Sequence, residues 1–520
     1  MNDIRFRCDR DTALVETTGG WIKGFQYRGL SIFKGIPYAQ ARRFHAPEPA
    51  APWEGVLDCS SYGFVCPLLN TDKPQGELRV PHRYWPMDEN CLNLNIWTPG
   101  TDDKARPVMV WLHGGGFEAG SAIEHRAYNG ENMAIHGDVV VVSVNHRLNI
   151  LGYFDLSDFG PEYRNSGNAG GDDIIAALRW VHDNIARFGG DPGNVVVFGQ
   201  SGGGAKITTL LQSPAADGLF HKGIIMSGVI GMLADAKGSG SEMAERLMRE
   251  LGVDSVQGIE TADIHALFSA YNRIKPELMK EGKYVGCAPH PNESYLGNPA
   301  EVGFRGESAH IPLLVGNCFG ELNGFRSPDY DKHSMSEAEQ RAQIASVLGE
   351  ADTNRLIALF RAAYPTRPIV DLLNLDFIFR GPEIPYIELR SRCPGSVWSY
   401  VFNMDQPIDG GLAPWHCADV PYVFRNVDMV PYTHGEGADA ERVQDEVFRR
   451  VIAFARNGDP NDEGLTSWAP CRPGAENTLL LSEESYVQPN HDHVLLPAFA
   501  EVMGPVFQRM MEQIMGDMQH

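Results

Sequence analysis

Short runs of β-branched residues alternate with longer helical patterns along this 520-residue chain. Residues 108–112 and 195–198 are continuous apolar runs, and residues 139–144 are valines interrupted only by Ser143; such runs are typical of strands buried on both faces. Residues 173–187 carry apolar side chains at helical spacing. Strands that alternate with helices form βαβ units on a parallel sheet. The sequence therefore predicts an α/β fold with a mostly parallel central sheet flanked by helices.

The alternation continues, more weakly, into the C-terminal half of the chain. A helical pattern over residues 441–456 stops at an Asn-Gly-Asp-Pro sequence, which is typical of a helix end. A second helix is predicted over residues 505–515, with Pro505 in its first turn, where the missing N–H costs nothing. Three further apolar runs are weaker strand candidates: residues 223–226, 311–315 and 397–402.

Nothing in the sequence divides the chain into separate domains. There is no internal repeat, no low-complexity tract and no linker rich in Pro, Gly or Ser. Large α/β units often run well beyond the usual domain length as one domain. We therefore predict a single domain over residues 1–520, with large inserts near residues 229–310 and 322–395.

Composition and charge exclude several classes of protein. Hydrophobic residues make up 43% of the chain and charged residues 21%, which is the usual globular mix. The formal net charge of −23 at pH 7 disfavours nucleic acid and anionic membranes, which both attract clustered Lys and Arg. The first ten residues are too charged for a signal peptide, and no apolar stretch approaches the roughly 20 residues of a spanning helix. We expect a cytoplasmic protein without nucleic-acid or membrane partners, and leave the oligomeric state open.

Neither a metal site nor a disulfide framework is indicated. The nine cysteines are an odd number and form no Cys-x-x-Cys pair. His491 and His493 flank Asp492, but two neighbouring histidines without further ligands are more typical of a solvated loop. We therefore expect no metal and no cofactor.

A Gly-x-Ser-x-Gly sequence follows the third strand pattern and has Ser201 at its centre. The motif alone is weak, because a chain with 55 glycines contains roughly 0.3 such matches by chance. Its context strengthens it, since a strand precedes the motif and a helical pattern follows. Small neighbours let the backbone turn sharply and expose the serine hydroxyl. Ser201 is therefore a candidate nucleophile, and the alternative is a helix-capping serine in a Gly-rich turn.

A second motif, His113-Gly114-Gly115-Gly116, ends the first strand pattern. Chance produces a His followed by three Gly only about 0.02 times at this composition, and the sequence matches a known type of oxyanion loop. Glycine lets backbone N–H groups converge on one point, as an oxyanion requires. The motif therefore predicts an oxyanion loop, and a flexible surface loop is the alternative.

A nucleophilic serine needs a base, and the base needs an orienting acid. With 17 histidines and many carboxylates, spacing does not choose among the candidates. Glu321 follows the strand candidate at residues 311–315, and His416 follows the one at residues 397–402. Each also fits an ordinary loop position, so the residues by themselves leave both roles open.

Further motifs resemble one known family over nearly the whole chain. FKGIPYA at residues 33–39 and ENCLNLNIWTP at residues 89–99 resemble two N-terminal signatures of the type-B carboxylesterases, the cholinesterase-like branch of the α/β hydrolases. FGGDP at residues 188–192 leads to the serine motif, as it does in that family. The resemblance implies the α/β-hydrolase fold. It also implies a site made of a nucleophile, an acid and a base (Ser201, Glu321 and His416) and of oxyanion N–H donors (Gly115, Gly116 and Gly202).

The same resemblance implies a serine hydrolase that cleaves carboxylic esters through an acyl-serine intermediate, without a cofactor. Its partner would be a small-molecule ester. Lipases and hydrolases of carbamates or amides use the same triad, so these activities are the alternatives. The family also includes non-enzymatic adhesion proteins, which makes a non-catalytic binding protein the remaining alternative.

The resemblance also bears on residues outside the reaction. Arg43 with Glu89, and Arg147 with Asp173, resemble buried ion pairs of the family. Cys66 and Cys91 resemble a pair that forms a disulfide in secreted relatives, and in a reducing cytosol they are expected to be thiols.

Two positions beside the nucleophile depart from the family pattern. Gln200 stands where Glu is common, and Gly202 stands where Ala is common. If Gly202 has helical backbone angles, Gly202→Ala is expected to be tolerated and even stabilising. Trp85 lies closer to Cys91 than the choline-binding Trp of cholinesterases does, so a quaternary-ammonium substrate is not indicated.

Overall fold

The computed structural model contains one large sheet of eleven strands. It describes residues 5–69, 83–229, 235–236, 238–325, 331–408, 411–430, 433 and 439–517. The strands of these residues are, in chain order, β1 (Leu14–Thr17), β2 (Gly20–Lys23), β3 (Phe25–Tyr27), β4 (Leu30–Pro37), β5 (Ala39–Gln40), β6 (Glu48–Pro49), β7 (Val56–Asp58), β8 (Asn93–Thr98), β9 (Arg106–Leu112), β10 (Val140–Val144), β11 (Gly190–Gln200), β12 (Lys222–Met226), β13 (Leu313–Cys318), β14 (Val397–Phe402), β15 (Asn477–Leu481) and β16 (Tyr486–Pro489).

The centre of the large sheet is parallel and its edges are antiparallel. The strand order is β16-β15-β14-β13-β12-β11-β9-β10-β8-β4-β3, and every pair from β15 to β10 is parallel. All residues of β10, β13 and β14 are buried, as expected for strands covered by helices on both faces. The prediction of a mostly parallel sheet is confirmed, and each of the six predicted strands is present within a few residues of its predicted bounds.

Helices cover both faces of this sheet. The pattern at residues 173–187 forms α3 and a following 3₁₀ turn, and the pattern at 441–456 forms α13. The prediction for residues 505–515 is wrong in its start. This helix begins at Leu495, where buried Leu496 and Phe499 anchor it, so that Pro505 lies inside the helix. In chain order the described helices are α1 (Glu131–Gly137), α2 (Asn149–Gly152), α3 (Ala169–Asn184), α4 (Gly202–Leu211), α5 (Ser241–Leu251), α6 (Val256–Thr261), α7 (Ile264–Lys280), α8 (Pro299–Val302), α9 (Glu337–Leu348), α10 (Glu350–Ala363), α11 (Arg380–Arg390), α12 (Val420–Phe424), α13 (Asp439–Asn457) and α14 (Leu495–Asp517).

The two segments predicted as inserts follow the carboxyl ends of β12 and β13. The segment at 229–310 contains α5 to α8, and the segment at 322–395 contains α9 to α11. The second segment packs Leu356 and Phe360 against Val401 of β14 and Leu495 of α14. The single-domain organisation over residues 1–520 stays a prediction.

Buried charges and thiols fill positions outside the site. Arg147 and Asp173 form the expected buried ion pair at 2.6 Å, and Arg43 pairs with Glu89 at 2.5 Å. All nine cysteines are free thiols, Cys66 and Cys91 among them. The prediction of a solvated loop at His491, Asp492 and His493 is wrong, because His491 is buried and Asp492 binds buried Arg380 at 2.8 Å. Across the described ranges, no helix has the length and apolarity needed to cross a membrane.

Candidate active site

Ser201 lies in the sharp turn between β11 and α4. Its φ of 56° and ψ of −125° belong to a backbone region that residues other than glycine rarely adopt. Two backbone hydrogen bonds hold this conformation: the Ser201 N–H donates to the Met226 carbonyl at 2.8 Å, and the Ser201 carbonyl accepts from the Ala205 N–H at 3.0 Å. The strand, turn and helix predicted around the serine are therefore present.

Close backbone approach explains the second glycine of the motif. A Cβ atom on Gly203 would lie 2.0 Å from the Leu112 carbonyl oxygen at the end of β9. No side chain tolerates that distance, so glycine lets the first turn of α4 pack directly on the neighbouring strand.

The glycine loop after β9 lies against the start of α4. Gly115 and Gly116 have φ of 85° and 62°, which the loop needs for its tight turn. A Cβ atom on Gly202 would lie 2.5 Å from the Gly116 nitrogen and 2.2 Å from the Gly116 oxygen. The structure therefore brings Gly116 and Gly202 together, at a helix start whose unpaired N–H groups favour negative charge.

His416 and Glu321 form a directly bonded pair. His416 Nδ1 lies 2.5 Å from Glu321 Oε2, and the His416 backbone N–H donates to the Glu321 carbonyl at 2.9 Å. The Phe379 ring, with its centroid 4.7 Å from that of the imidazole, covers one side of His416. β13 and β14 are parallel neighbours, so the loops after their carboxyl ends meet and place these two residues together.

Ser227 is a site residue that the sequence did not suggest. It follows β12 with a φ of 47°, and its hydroxyl donates to Glu321 Oε1 at 2.7 Å. The Cys318 backbone N–H donates to the same oxygen at 2.7 Å. The Glu321 carboxylate is fully buried, and these three partners satisfy it as an anion. The sequence feature that could have pointed to Ser227 is its position at the end of a central strand.

Gln200 also contacts the site directly. Its side-chain nitrogen lies 3.0 Å from Nε2 of His416. Because Nδ1 faces the Glu321 carboxylate and carries the proton, Nε2 accepts, and the Gln200 amide donates to it. The sequence marked Gln200 as a departure from the family but gave it no role.

Comparisons with known proteins identify the family of the chain. The model of the Carboxylesterase family matches residues 11–494. The chain belongs to this family. It is 32% identical over 485 residues to a para-nitrobenzyl esterase of Bacillus subtilis (strain 168), covering 91% of this chain and 96% of the relative. It is 31% identical over 498 residues to a phenmedipham hydrolase of Pseudarthrobacter oxydans, covering 91% and 95%.

Solved structures extend the agreement to the fold. An esterase from anaerobic Clostridium hathewayi, described as hydrolysing aliphatic aromatic polyesters, is 45% identical and superposes with a TM-score of 0.92, covering 96% of this chain and 99% of its own. The PNB esterase structure is 29% identical, with a TM-score of 0.73. The α/β-hydrolase fold is confirmed, and the protein is a carboxylesterase, a serine hydrolase that cleaves carboxylic esters.

Burial shapes the charge around Glu321. Burial, reinforced by the Glu321 charge, raises the pKa of Asp376 to about 7. Burial also raises the pKa of Asp419 to about 6, although the hydrogen bond from Tyr400 opposes the rise. Asp376 thus loses part of its charge at neutral pH, which reduces repulsion on the Glu321 carboxylate. Among the residues that the structure describes, no cluster of three His, Cys, Asp or Glu could hold a metal.

A cavity of about 470 Å³ lies beside α4. Its lining includes Phe117, Ala205 and Val229, together with Pro385 and Tyr386 of α11. Its lining is mainly apolar, which suits the hydrocarbon part of an ester.

The close approach at Gly202 overturns the expectation that alanine is tolerated there. We now expect Gly202→Ala to displace the Gly116 backbone and to lower kcat by about 10²-fold, the usual loss when one oxyanion donor is removed. We also expect no rise in melting temperature. Both are measured by p-nitrophenyl acetate turnover and calorimetry. Gly171→Ala is the matched control, because a Cβ at that helical glycine meets nothing within 4 Å. Equal kcat in wild type and Gly202→Ala would show that the loop yields without cost.

Proposed function

We propose that Ser201, His416 and Glu321 form the catalytic triad of this carboxylesterase. The observation that carries the proposal is the 2.5 Å contact between His416 Nδ1 and Glu321 Oε2. This pair and the strained turn at Ser201 both follow the carboxyl ends of central parallel strands. We assign the oxyanion N–H groups to Gly115, Gly116 and Gly202. The reaction uses no metal and no cofactor.

In this mechanism His416 Nε2 takes the proton of the Ser201 hydroxyl as Oγ attacks the ester carbonyl carbon. The resulting oxyanion accepts hydrogen bonds from the glycine N–H groups, and Glu321 stabilises the imidazolium. The imidazolium then protonates the leaving alcohol, and water hydrolyses the acyl-serine by the same steps. Because the Gln200 amide binds Nε2 in this structure, it has to release that nitrogen before the serine is activated.

The cavity beside α4 supports a small-molecule ester with a short or medium apolar group. A p-nitrophenyl ester series from acetate to palmitate tests the proposal, and we expect the highest kcat/KM for the shorter acyl chains without interfacial activation. Activity restricted to long chains at an interface would favour a lipase, and carbamates or amides as better substrates would favour those activities. A protein that turns over none of these compounds would be a binding protein.

The pH dependence of kcat/KM should report a histidine base. We expect kcat/KM to rise with pH through one ionisation between about pH 5.5 and 7.5, because unperturbed histidine titrates at about 6.5 and accepts a proton only when neutral. EDTA should leave the profile unchanged. A profile that is flat across this range, or activity lost on chelation, would contradict the metal-free triad.

A second candidate activity rests on the 45% identical structural neighbour that hydrolyses aliphatic aromatic polyesters. We propose that this carboxylesterase also cleaves such polymers. The test is the release of soluble products from an aliphatic–aromatic copolyester film, with Ser201→Ala as the control. Turnover of soluble esters without any release from the film would limit the enzyme to small molecules.

We also propose a cytoplasmic location without nucleic-acid partners. The nine free thiols suit a reducing compartment, and the net charge of −23 repels phosphate backbones. Fractionation of cells against marker enzymes tests the location.

A further inference from the structure

We propose that Lys206 is a positioning residue that ties the oxyanion loop to the nucleophile helix. The inference rests on the proposed function of Ser201 and of the glycine N–H groups. It concerns a feature that the triad does not explain: a fully buried lysine five residues beyond the nucleophile, with 1% of its surface exposed.

The contacts of Lys206 bracket the glycine loop on both sides. Its amine donates to the His113 carbonyl at 3.0 Å, immediately before the three glycines. The same amine lies 6.0 Å from the centroid of the Phe117 ring, immediately after them. The Lys206 amine therefore binds the residue before the three glycines and lies beside the ring of the residue after them.

This tether matters because the two halves of the oxyanion hole belong to different elements. Gly115 and Gly116 lie on the loop after β9, whereas Gly202 starts α4. Three N–H groups stabilise one oxygen only if the loop and the helix keep their relative position, and a shift of about 1 Å can cost 10²-fold in rate. Lys206 is the α4 side chain that fixes this position through a hydrogen bond.

The two histidines beside Lys206 are neutral and do not share this task. His113 and His146 stack at 4.9 Å, and each donates its Nδ1 proton to a neighbouring backbone carbonyl at 2.9 Å. Burial, and then the charge of Lys206, lowers the pKa of both histidines, so both stay neutral. Their buried Nε2 atoms have no hydrogen-bond partner within the described structure. Each neutral imidazole therefore presents an unpaired Nε2 acceptor to the buried cluster that contains the Lys206 amine.

Keeping a lysine here opposes stability, which argues against a purely structural role. Burial lowers the pKa of Lys206 to about 7, and the charge of Glu124 offsets this only in part. Replacing a poorly compensated buried charge with an apolar side chain of similar volume is often neutral or stabilising. If Lys206 only filled space, a methionine of similar volume would give an equally or more stable protein.

The test compares Lys206→Met with wild type, using p-nitrophenyl acetate and a trifluoromethyl ketone that forms a tetrahedral adduct with the serine. We expect kcat to fall on the order of 10²-fold while KM changes by less than about 3-fold. The inhibition constant of the ketone should rise by the same factor as kcat/KM falls, because the ketone mimics the transition state. The melting temperature should stay the same or rise.

Leu211→Met, a volume-conserving change of another buried α4 residue, is the matched control and should keep wild-type kcat and inhibition. Should Lys206→Met not fold, Lys206→Gln makes the same comparison with a shorter donor and a smaller expected loss of kcat. Wild-type kcat and ketone affinity in the Lys206 variant would overturn the inference and leave the proposed function standing. A lower melting temperature with equal losses in kcat and in substrate binding would also overturn it. A wild type that neither hydrolyses esters nor binds the ketone would overturn the proposed function first.

Discussion

Ser201→Ala should abolish turnover, lowering kcat by about 10⁶-fold, the loss typical of a removed triad nucleophile. In the proposed mechanism the hydroxyl oxygen forms the covalent acyl intermediate, and a methyl group cannot replace it. The fold should persist, because the φ of 56° is no more strained for alanine than for serine. The hydrogen bonds to Met226 and from Ala205 use only the backbone of residue 201. The measurements are p-nitrophenyl acetate turnover and the melting temperature.

Covalent labelling makes this result specific to one residue. A fluorophosphonate should label Ser201 in the wild type and leave Ser201→Ala unlabelled. Ser346→Ala is the control, since this exposed serine on α9 bonds only the Gln343 carbonyl of its own helix. Label on another serine, or activity within a few-fold of wild type, would remove Ser201 from the mechanism.

The parts of the fold that could be predicted are those encoded by local sequence patterns. β14 occupies residues 397–402 as predicted, because a strand buried on both faces is apolar at nearly every position, here with Ser399 as the exception. Edge strands such as β3 and β16 are short and mixed in polarity, and they form by pairing with neighbours, which no local pattern shows. The C-terminal helix was misplaced because Pro505 suggested a start, whereas buried Leu495 begins it.

The sequence pointed to part of the candidate site and missed the rest for the same reason. The turn at Ser201 is encoded in a few consecutive residues, and family resemblance supplied Glu321 and His416. The contact of Gln200 with His416 and that of Ser227 with Glu321 join residues 216 and 94 positions apart. The obstruction at Gly202 depends on how closely the loop at Gly116 approaches, which is a property of packing and not of motif.

The second large effect concerns the acid. Glu321→Gln should lower kcat by about 10⁴-fold while the fold and KM are largely retained, as in the analogous change of an orienting acid in serine proteases. Asp331→Asn is the control, because this exposed aspartate accepts a hydrogen bond from the His333 N–H and has no role at His416. Asp329, the other aspartate close to Glu321 in the sequence, lies outside the described residues.

The geometry explains why a glutamine, which has nearly the same shape as Glu321, should lose most of the activity. Oε1 of Glu321 accepts from the Ser227 hydroxyl and from the Cys318 backbone N–H, and the backbone N–H cannot become an acceptor. A glutamine must therefore place its carbonyl oxygen there and turn its NH₂ group toward His416 Nδ1. Nδ1 then has to accept, so the imidazole proton moves to Nε2, and Nε2 can no longer take the proton of Ser201. Near-normal kcat in Glu321→Gln, measured over pH 6 to 9, would show that another carboxylate orients the imidazole.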